Sequence, residues 1–98
     1  MAVGEPVGAV LSINSGADAT IQPPSGTAWL IQSICFSGKV QIYLTDGTND
    51  AILFESLGPG FIMPNINISP STVYLKIHNY DSSTVKIAYT GMVSYPTS

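Results

Sequence analysis

Two side chains in this sequence could carry out acid–base or nucleophilic chemistry. His78 is the only histidine and Cys35 the only cysteine. Catalysis by either residue needs a partner acid, base or nucleophile within reach. His78 alternates with Lys76 on the predicted wet face of a strand, and Cys35 lies mid-strand among large apolar residues, where a free thiol behaves as a small hydrophobe. We therefore expect a surface histidine, a buried cysteine and no catalytic residues.

A cluster of side-chain oxygens in one loop could bind a cation. Asp46, Asn49 and Asp50 lie within five residues of one another. Calcium requires six to eight oxygen ligands, and the spacing does not match the Asp-x-Asp-x-Asp-Gly loop. The dipeptide Asp46-Gly47 is instead a strong signal for a hairpin turn. We expect a turn here, with no metal and no cofactor.

Tyrosines are a third group with possible binding chemistry, because flat rings stack on the faces of sugars. A carbohydrate site also needs converging polar groups, which the sequence cannot display. Cross-strand packing is the more ordinary role of tyrosine in a sheet. The candidates for either role are Tyr43, Tyr74, Tyr80 and Tyr95.

Charged residues make up only 9% of the 98 residues, with three lysines, no arginine and a net charge of −3. Typical soluble domains have about 25%. Binding to nucleic acid or to an acidic membrane surface needs clustered Lys and Arg, so neither partner is expected. The single cysteine excludes an intrachain disulfide. A small secreted domain would normally carry disulfides, so assembly in a reducing cytoplasm is expected. The N-terminus has no signal-peptide pattern, and no apolar run is long enough to span a bilayer.

Two long stretches, Ala19 to Gly38 and Ser56 to Leu75, carry no charge at all. A small monomer normally keeps mixed charges over its surface. These stretches therefore indicate that much of the surface is covered by another chain. The alternative is that abundant Ser, Thr, Asn and Gln keep the protein soluble.

Turn-forming clusters of Gly, Pro, Asn, Asp and Ser recur every eight to twelve residues, which is typical of an all-β sandwich or barrel. The segments between them are rich in β-branched and aromatic residues. We predict an all-β, antiparallel, jelly-roll-like sandwich over residues 11–98, preceded by an N-terminal arm over residues 1–10. The predicted strands are Gly8–Asn14, Ala19–Gln22, Ala28–Ser37, Val40–Thr45, Ala51–Ser56, Phe61–Met63, Thr72–His78 and Val85–Ser94.

Alternation predicts one wet face for the strands Val40–Thr45, Thr72–His78 and Val85–Ser94. The strands Ala28–Ser37 and Ala51–Ser56 are apolar on both faces, so their second face needs a cover, and a neighbouring subunit is the simplest one.

The loop from Gly58 to Pro64 presents Phe61 and Met63, either as a core plug or as a contact with another chain. The residues predicted to contact a neighbouring subunit are Trp29, Ile31, Phe61 and Met63. The first ten residues form either a free tail or an extended arm that pairs with the edge of a neighbour's sheet.

The segment Ile21-Gln22-Pro23-Pro24-Ser25-Gly26-Thr27-Ala28-Trp29-Leu30-Ile31 resembles a hairpin of small structural proteins of tailed bacteriophages. The segments Ile77 to Ser83 and Ile87 to Gly91 are similar in style. The resemblance implies a head decoration (cement) protein that forms a trimer, lies on the capsid surface of the virion and clamps seams between major capsid subunits. It implies no catalytic residues. Capsid contact is then expected from the arm, through Val3, Val7 and Val10, after assembly in the host cytoplasm. The alternative is a carbohydrate- or receptor-binding module of a tail or fibre.

Overall fold

A computed structural model describes residues 4–70 and 72–95 of the chain, and in this part all regular structure is β. Each strand is rich in β-branched and aromatic residues and ends at a Gly, Pro, Asn, Asp or Ser turn. The strands are β1 (Pro6–Ile13), β2 (Asp18–Ile21), β3 (Ala28–Phe36), β4 (Val40–Thr45), β5 (Asp50–Glu55), β6 (Gly60–Ile62), β7 (Ile66–Ile68), β8 (Tyr74–Asn79) and β9 (Val85–Tyr95).

The strands form two antiparallel sheets, as predicted. The five-stranded sheet has the order β1-β9-β3-β6, and β7 pairs with the other half of the same edge of β3. The four-stranded sheet has the order β2-β8-β4-β5. The all-β, jelly-roll-like sandwich predicted from the sequence is therefore confirmed, with β7 as an additional strand.

The core lies between the two sheets and consists mostly of β-branched side chains. Strands β4, β8 and β9 bury the faces that alternation predicted. Burial of such surface contributes roughly 25 cal/mol per Å². The buried apolar residues are Ile13, Ile21, Trp29, Ile31, Ile34, Phe36, Val40, Ile42, Ile68, Leu75, Ile77, Val85, Ile87 and Val93.

A β-bulge in β3 overturns the prediction that this strand has two apolar faces. The register with β9 shifts between Ile31 and Ser33. One extra residue at that point moves the following side chains to the opposite face. Ile34 and Phe36 consequently join Ile31 in the core, and Cys35 points outward. The expectation of a buried cysteine is therefore wrong.

Two residues that were predicted to contact a neighbouring subunit lie instead in the core. Trp29 is 8% exposed and Ile31 is fully buried, and both pack in this chain's own core. Because the inner face of β3 is covered by the opposite sheet, neither side chain has surface to offer a neighbour. Trp29 instead packs against Tyr89, with ring centroids 6.3 Å apart.

The N-terminal segment belongs to the five-stranded sheet from Pro6 onward. Pro6 to Val10 pair in register with Met92 to Ala88 of β9. The predicted boundary after residue 10 therefore falls inside β1. Val3, which was predicted to contact the capsid, lies outside the described residues.

Gly91 permits the close approach of β9 to the bulge in β3. A Cβ at this position would lie 2.2 Å from the carbonyl oxygen of Leu30 and 3.0 Å from Cα of Ile31. We expect Gly91→Ala to lower the free energy of unfolding by about 1–3 kcal/mol, the usual cost of overpacking. Urea denaturation followed by circular dichroism measures the change. The matched control is Gly58→Ala, where a Cβ meets nothing within 4 Å. Equal stability of the two variants would contradict this interpretation of Gly91.

Candidate interaction surface

The two sheets differ sharply in charge. The strands of the four-stranded sheet contain Asp18, Asp50, Glu55 and Lys76, and Asp46 lies in the turn between β4 and β5. The strands of the five-stranded sheet contain a single charged residue, Lys86. Water therefore solvates the outer face of the four-stranded sheet far better than that of the five-stranded sheet.

Polar side chains on the outer face of the four-stranded sheet contact one another. Nδ1 of His78 lies 2.5 Å from Oδ1 of Asp18. Lys76 forms an ion pair with Asp50, and its Nζ lies 5.4 Å from the centre of the Tyr43 ring. His78 thus lies on the outer face beside Lys76, as predicted, and its contact is with a carboxylate of its own sheet.

The loop after β4 is a turn, as its Asp-Gly sequence predicts. Oδ1 of Asp46 accepts hydrogen bonds from the backbone N–H groups of Thr48 (2.8 Å) and Asn49 (2.6 Å). These donors hold the pKa of Asp46 below its ordinary value. In the described part of the chain, no three or more His, Cys, Asp and Glu side chains cluster as a metal site would need.

The outer face of the five-stranded sheet is uncharged except at Lys86, and we call it the neutral face. Directly paired positions place Val10, Ala88, Cys35 and Phe61 in one row across β1, β9, β3 and β6. Val10 is 70% and Phe61 69% exposed. The hydroxyls of Ser33 and Thr90 lie 2.6 Å apart and satisfy each other. Besides Lys86, the neutral face includes Val10, Leu30, Ser33, Cys35, Phe61, Ala88, Thr90 and Met92.

A second apolar surface runs along the side of the sandwich where β5 and β6 form the open edges of the two sheets. Residues 56–59 connect these strands directly, so both edges lie on the same side. Of the large apolar side chains that the described part of the chain exposes, all but Val10 fall between residues 52 and 63. We call this surface the apolar side. Its members are Ile52, Leu53, Phe54, Leu57, Phe61 and Met63.

Internal contacts fix the start of the connection between β5 and β6. The hydroxyl of Ser56 accepts a hydrogen bond from the N–H of Val40 at 2.8 Å and donates to the carbonyl of Gly38 at 3.0 Å. The Tyr80 hydroxyl donates to the carbonyl of Ser56. Within β5, the Phe54 ring packs 5.9 Å from that of Phe36. The apolar side is therefore held in place before any partner binds.

The structure brings some of the predicted contact residues together and separates others. Phe61 and Met63 are exposed on the apolar side, as an interface role requires. Val10 shares a row with Phe61 on the neutral face, although the sequence patterns assigned the two to different contacts. Val7 is half-buried against the core and offers little surface to a capsid. Leu57 was not predicted from the sequence; it is 83% exposed, and its signal was its place in the uncharged stretch after Glu55.

Three of the four tyrosines considered for sugar stacking make contacts within this chain. Tyr43, Tyr74 and Tyr80 are half-buried. The Tyr43 hydroxyl donates to Oε1 of Gln41 at 2.8 Å, and that of Tyr80 donates to Ser56. The side chain of Tyr95 lies outside the described residues. In the described part, no helix is long and apolar enough to cross a membrane.

Comparison with known proteins supports the fold. No protein-family model and no curated protein sequence matches this chain. The nucleoplasmin-like N-terminal domain of Drosophila FKBP39 is similar, with a TM-score of 0.63 and 11% identity over 100% of this chain and 96% of that one. The Drosophila NLP core, described for pentamer formation and histone binding, has a TM-score of 0.56 and 7% identity, covering 88% of this chain and 96% of that one.

A cupin domain is also similar. The Cnp3 cupin domain of Schizosaccharomyces pombe has a TM-score of 0.56 and 19% identity over 91% of this chain. The chain spans about half of that domain, 53% of its length. Identities this low show a shared jelly-roll-like sandwich and nothing about activity.

We expect the carboxylates of Asp46 and Asp50 to make the free energy of unfolding decrease at acidic pH. Lys76 holds the pKa of Asp50 below its ordinary value of 3.8, and backbone N–H groups do the same for Asp46. A carboxyl group whose pKa is lower in the folded than in the unfolded state stabilises the fold when the pH is above its unfolded-state pKa. This stabilisation is lost as the pH falls through its folded-state pKa. The urea midpoint should therefore decline as the pH is lowered from about 5 to 3. Asp46→Asn, which cannot titrate, should show a shallower decline, and an unchanged decline would contradict the role of Asp46.

Proposed function

We propose that this chain is a non-enzymatic structural protein that assembles with copies of itself through the apolar side and covers another protein through the neutral face. The proposal rests on the unequal distribution of charged residues between the two outer faces of the sandwich. One outer face holds a solvated polar network, whereas the opposite face and one lateral side expose apolar side chains. Exposed contiguous apolar surface of this kind marks interaction sites in soluble proteins.

The apolar side suits an interface between copies. Phe61, Met63 and Leu57 are each more than half exposed, and phenylalanine and methionine are enriched at interfaces. Covering them would contribute roughly 25 cal/mol per Å² of apolar surface. The apolar side lies on one lateral side of the sandwich, so it can contact a different surface of the next copy. Repetition of such a heterologous contact closes into a ring when the rotation permits.

A homo-oligomer is consistent with the architecture, since the structurally similar Drosophila NLP core is described for pentamer formation. We propose a trimer for this chain. The trimer rests on the resemblance of the segment from Ile21 to Ile31 to small structural proteins of tailed bacteriophages.

The same resemblance leads us to propose that the covered protein is a major capsid protein and that the oligomer is a head decoration protein on the virion surface. The neutral face would supply the capsid contact, with Val10 among its residues. A ring presents several such faces at once, so weak individual contacts become strong together. This role needs no cofactor and no catalytic residue. Assembly would take place in the host cytoplasm.

We expect Phe61→Asp to weaken self-association at least tenfold, because the variant places a charge where an apolar contact is proposed. Sedimentation velocity over a concentration series measures the effect, and thermal unfolding verifies that the variant is folded. The matched control is Thr20→Asp, which adds the same charge at an exposed position of the four-stranded sheet. Association of Phe61→Asp at the wild-type strength would remove Phe61 from the interface.

The capsid role is tested by electron cryo-microscopy of virions assembled with and without this chain. We expect density for the chain on the outer head surface, where neighbouring capsid subunits meet, and its loss when the chain is omitted. Density at the tail or fibre instead would overturn the decoration role.

A further inference from the structure

The outer edge of β1 is the longest open strand edge in the described part of the structure. β1 has eight residues and pairs with β9 on one side. The chain carries no charge from Pro6 to Ile13. Proteins normally protect such an edge with lysine, an inward charge or a shortened strand, because its free N–H and C=O groups bind other strands.

The backbone groups that β1 turns outward follow from its pairing with β9. Val93 N–H donates to the carbonyl of Glu5 at 2.9 Å, and Ser37 N–H donates to the carbonyl of Lys86 at 3.0 Å. Odd-numbered residues of β9 therefore bond to β1, and even-numbered ones bond to β3. In this register, Gly8, Val10 and Ser12 direct their N–H and C=O groups away from the sheet. Pro6 at the same edge offers only a carbonyl.

The other edge strands are protected. β2 has only four residues and begins with Asp18. β5 begins and ends with the acidic residues Asp50 and Glu55, and it contains a bulge at Leu53, because the consecutive residues Ile42 and Tyr43 pair with Phe54 and Ile52. β6 and β7 have three residues each. Among the described edges, β1 is the only one that is neither short, charged nor bulged, and Pro6 protects only its first residue.

We infer that the free edge of β1 binds β1 of a second copy of this chain, antiparallel and about a two-fold axis. Pairing centred on Val10 sets Gly8 opposite Ser12 of the second copy and Val10 opposite its own equivalent. All three outward N–H groups then find carbonyl acceptors, giving six hydrogen bonds across the axis. Pro6 remains outside the paired stretch.

Charge favours a second copy as the occupant. Two identical strands that pair antiparallel repel each other when they carry charge, because like charges come to lie near each other. Two copies of β5 would bring Asp50 and Glu55 together, whereas two copies of β1 bring no charges together. The pairing would also extend the neutral face from one copy into the next, since the Val10 side chains of both copies point outward on the same side.

This inference rests on the proposed function, because only an oligomer would make the edge contact strong. One strand edge covers less surface than the roughly 800 Å² per partner of a standard interface. The contact would be weak between single chains and strong between rings that already hold several copies. It would therefore join oligomers side by side into a continuous layer.

The test combines hydrogen exchange with a proline substitution. In the wild-type chain, the amides of Gly8, Val10 and Ser12 should exchange at least tenfold more slowly at high than at low protein concentration. Val10→Pro removes one outward N–H while leaving every bond to β9 intact, so it should abolish this concentration dependence and the largest species in sedimentation velocity. Val10→Ala, which keeps the N–H, is the control and should retain the wild-type concentration dependence of exchange and the wild-type largest species.

The outcomes separate this inference from the proposed function. If Phe61→Asp dissociates the oligomer but the β1 amides of the wild type exchange equally fast at all concentrations, the edge pairing is wrong and the ring stands. Wild-type association of Val10→Pro would also overturn the pairing. Protection of the β1 amides in a Phe61→Asp variant at high concentration would support edge pairing independently of the ring.

Discussion

Water solvates the two outer faces of the sandwich unequally, because nearly all charged side chains of the strands lie in the four-stranded sheet. A two-layer sandwich must bury both inner faces, and the chain does so with Ile, Val, Leu, Trp and Phe. On the outer face of the four-stranded sheet, Lys76 forms an ion pair with Asp50, and the His78 ring contacts Asp18. The neutral face has Lys86 as its single charged residue, and the apolar side exposes six large apolar side chains next to Glu55, so covering their apolar surface with protein is favourable.

The fold itself brings the apolar residues into one place. Leu53 and Met63 lie ten positions apart in the chain, yet they lie on the same side of the sandwich because β5 and β6 are consecutive strands at the open edges of different sheets. The bonds made by Ser56 fix this crossing. Val10 and Phe61 are brought into one row by β9 and β3, which lie between their strands. Neither grouping follows from a local motif.

Periodicity was sufficient to predict much of the fold. The strict alternation of Val40, Ile42 and Leu44 identified the inner face of β4, and the same pattern held for β8 and β9. It failed at β3, because the bulge between Ile31 and Ser33 inserts one residue and no side-chain pattern announces it. Strand β7 was missed because Ile66–Ile68 is too short to show a period between two prolines.

The candidate surface was harder to predict than the fold. The loop from Gly58 to Pro64 predicted that Phe61 and Met63 form either a core plug or a contact surface, and the structure exposes both side chains. The sequence assigns Trp29 and Ile31 to the interface because it gives no sign of the bulge in β3. The same bulge turns Cys35 to the outer face. The neutral face depends on strand order across β1, β9, β3 and β6, which local sequence does not encode.

The mass of the unmodified chain in solution shows whether another copy covers the apolar side. Multi-angle light scattering at micromolar concentration should give a multiple of the 10.3 kDa chain mass, and the trimer corresponds to three times that value. A single species of 10.3 kDa across the concentration series would contradict the account. It would mean that the apolar side remains in water without a covering chain.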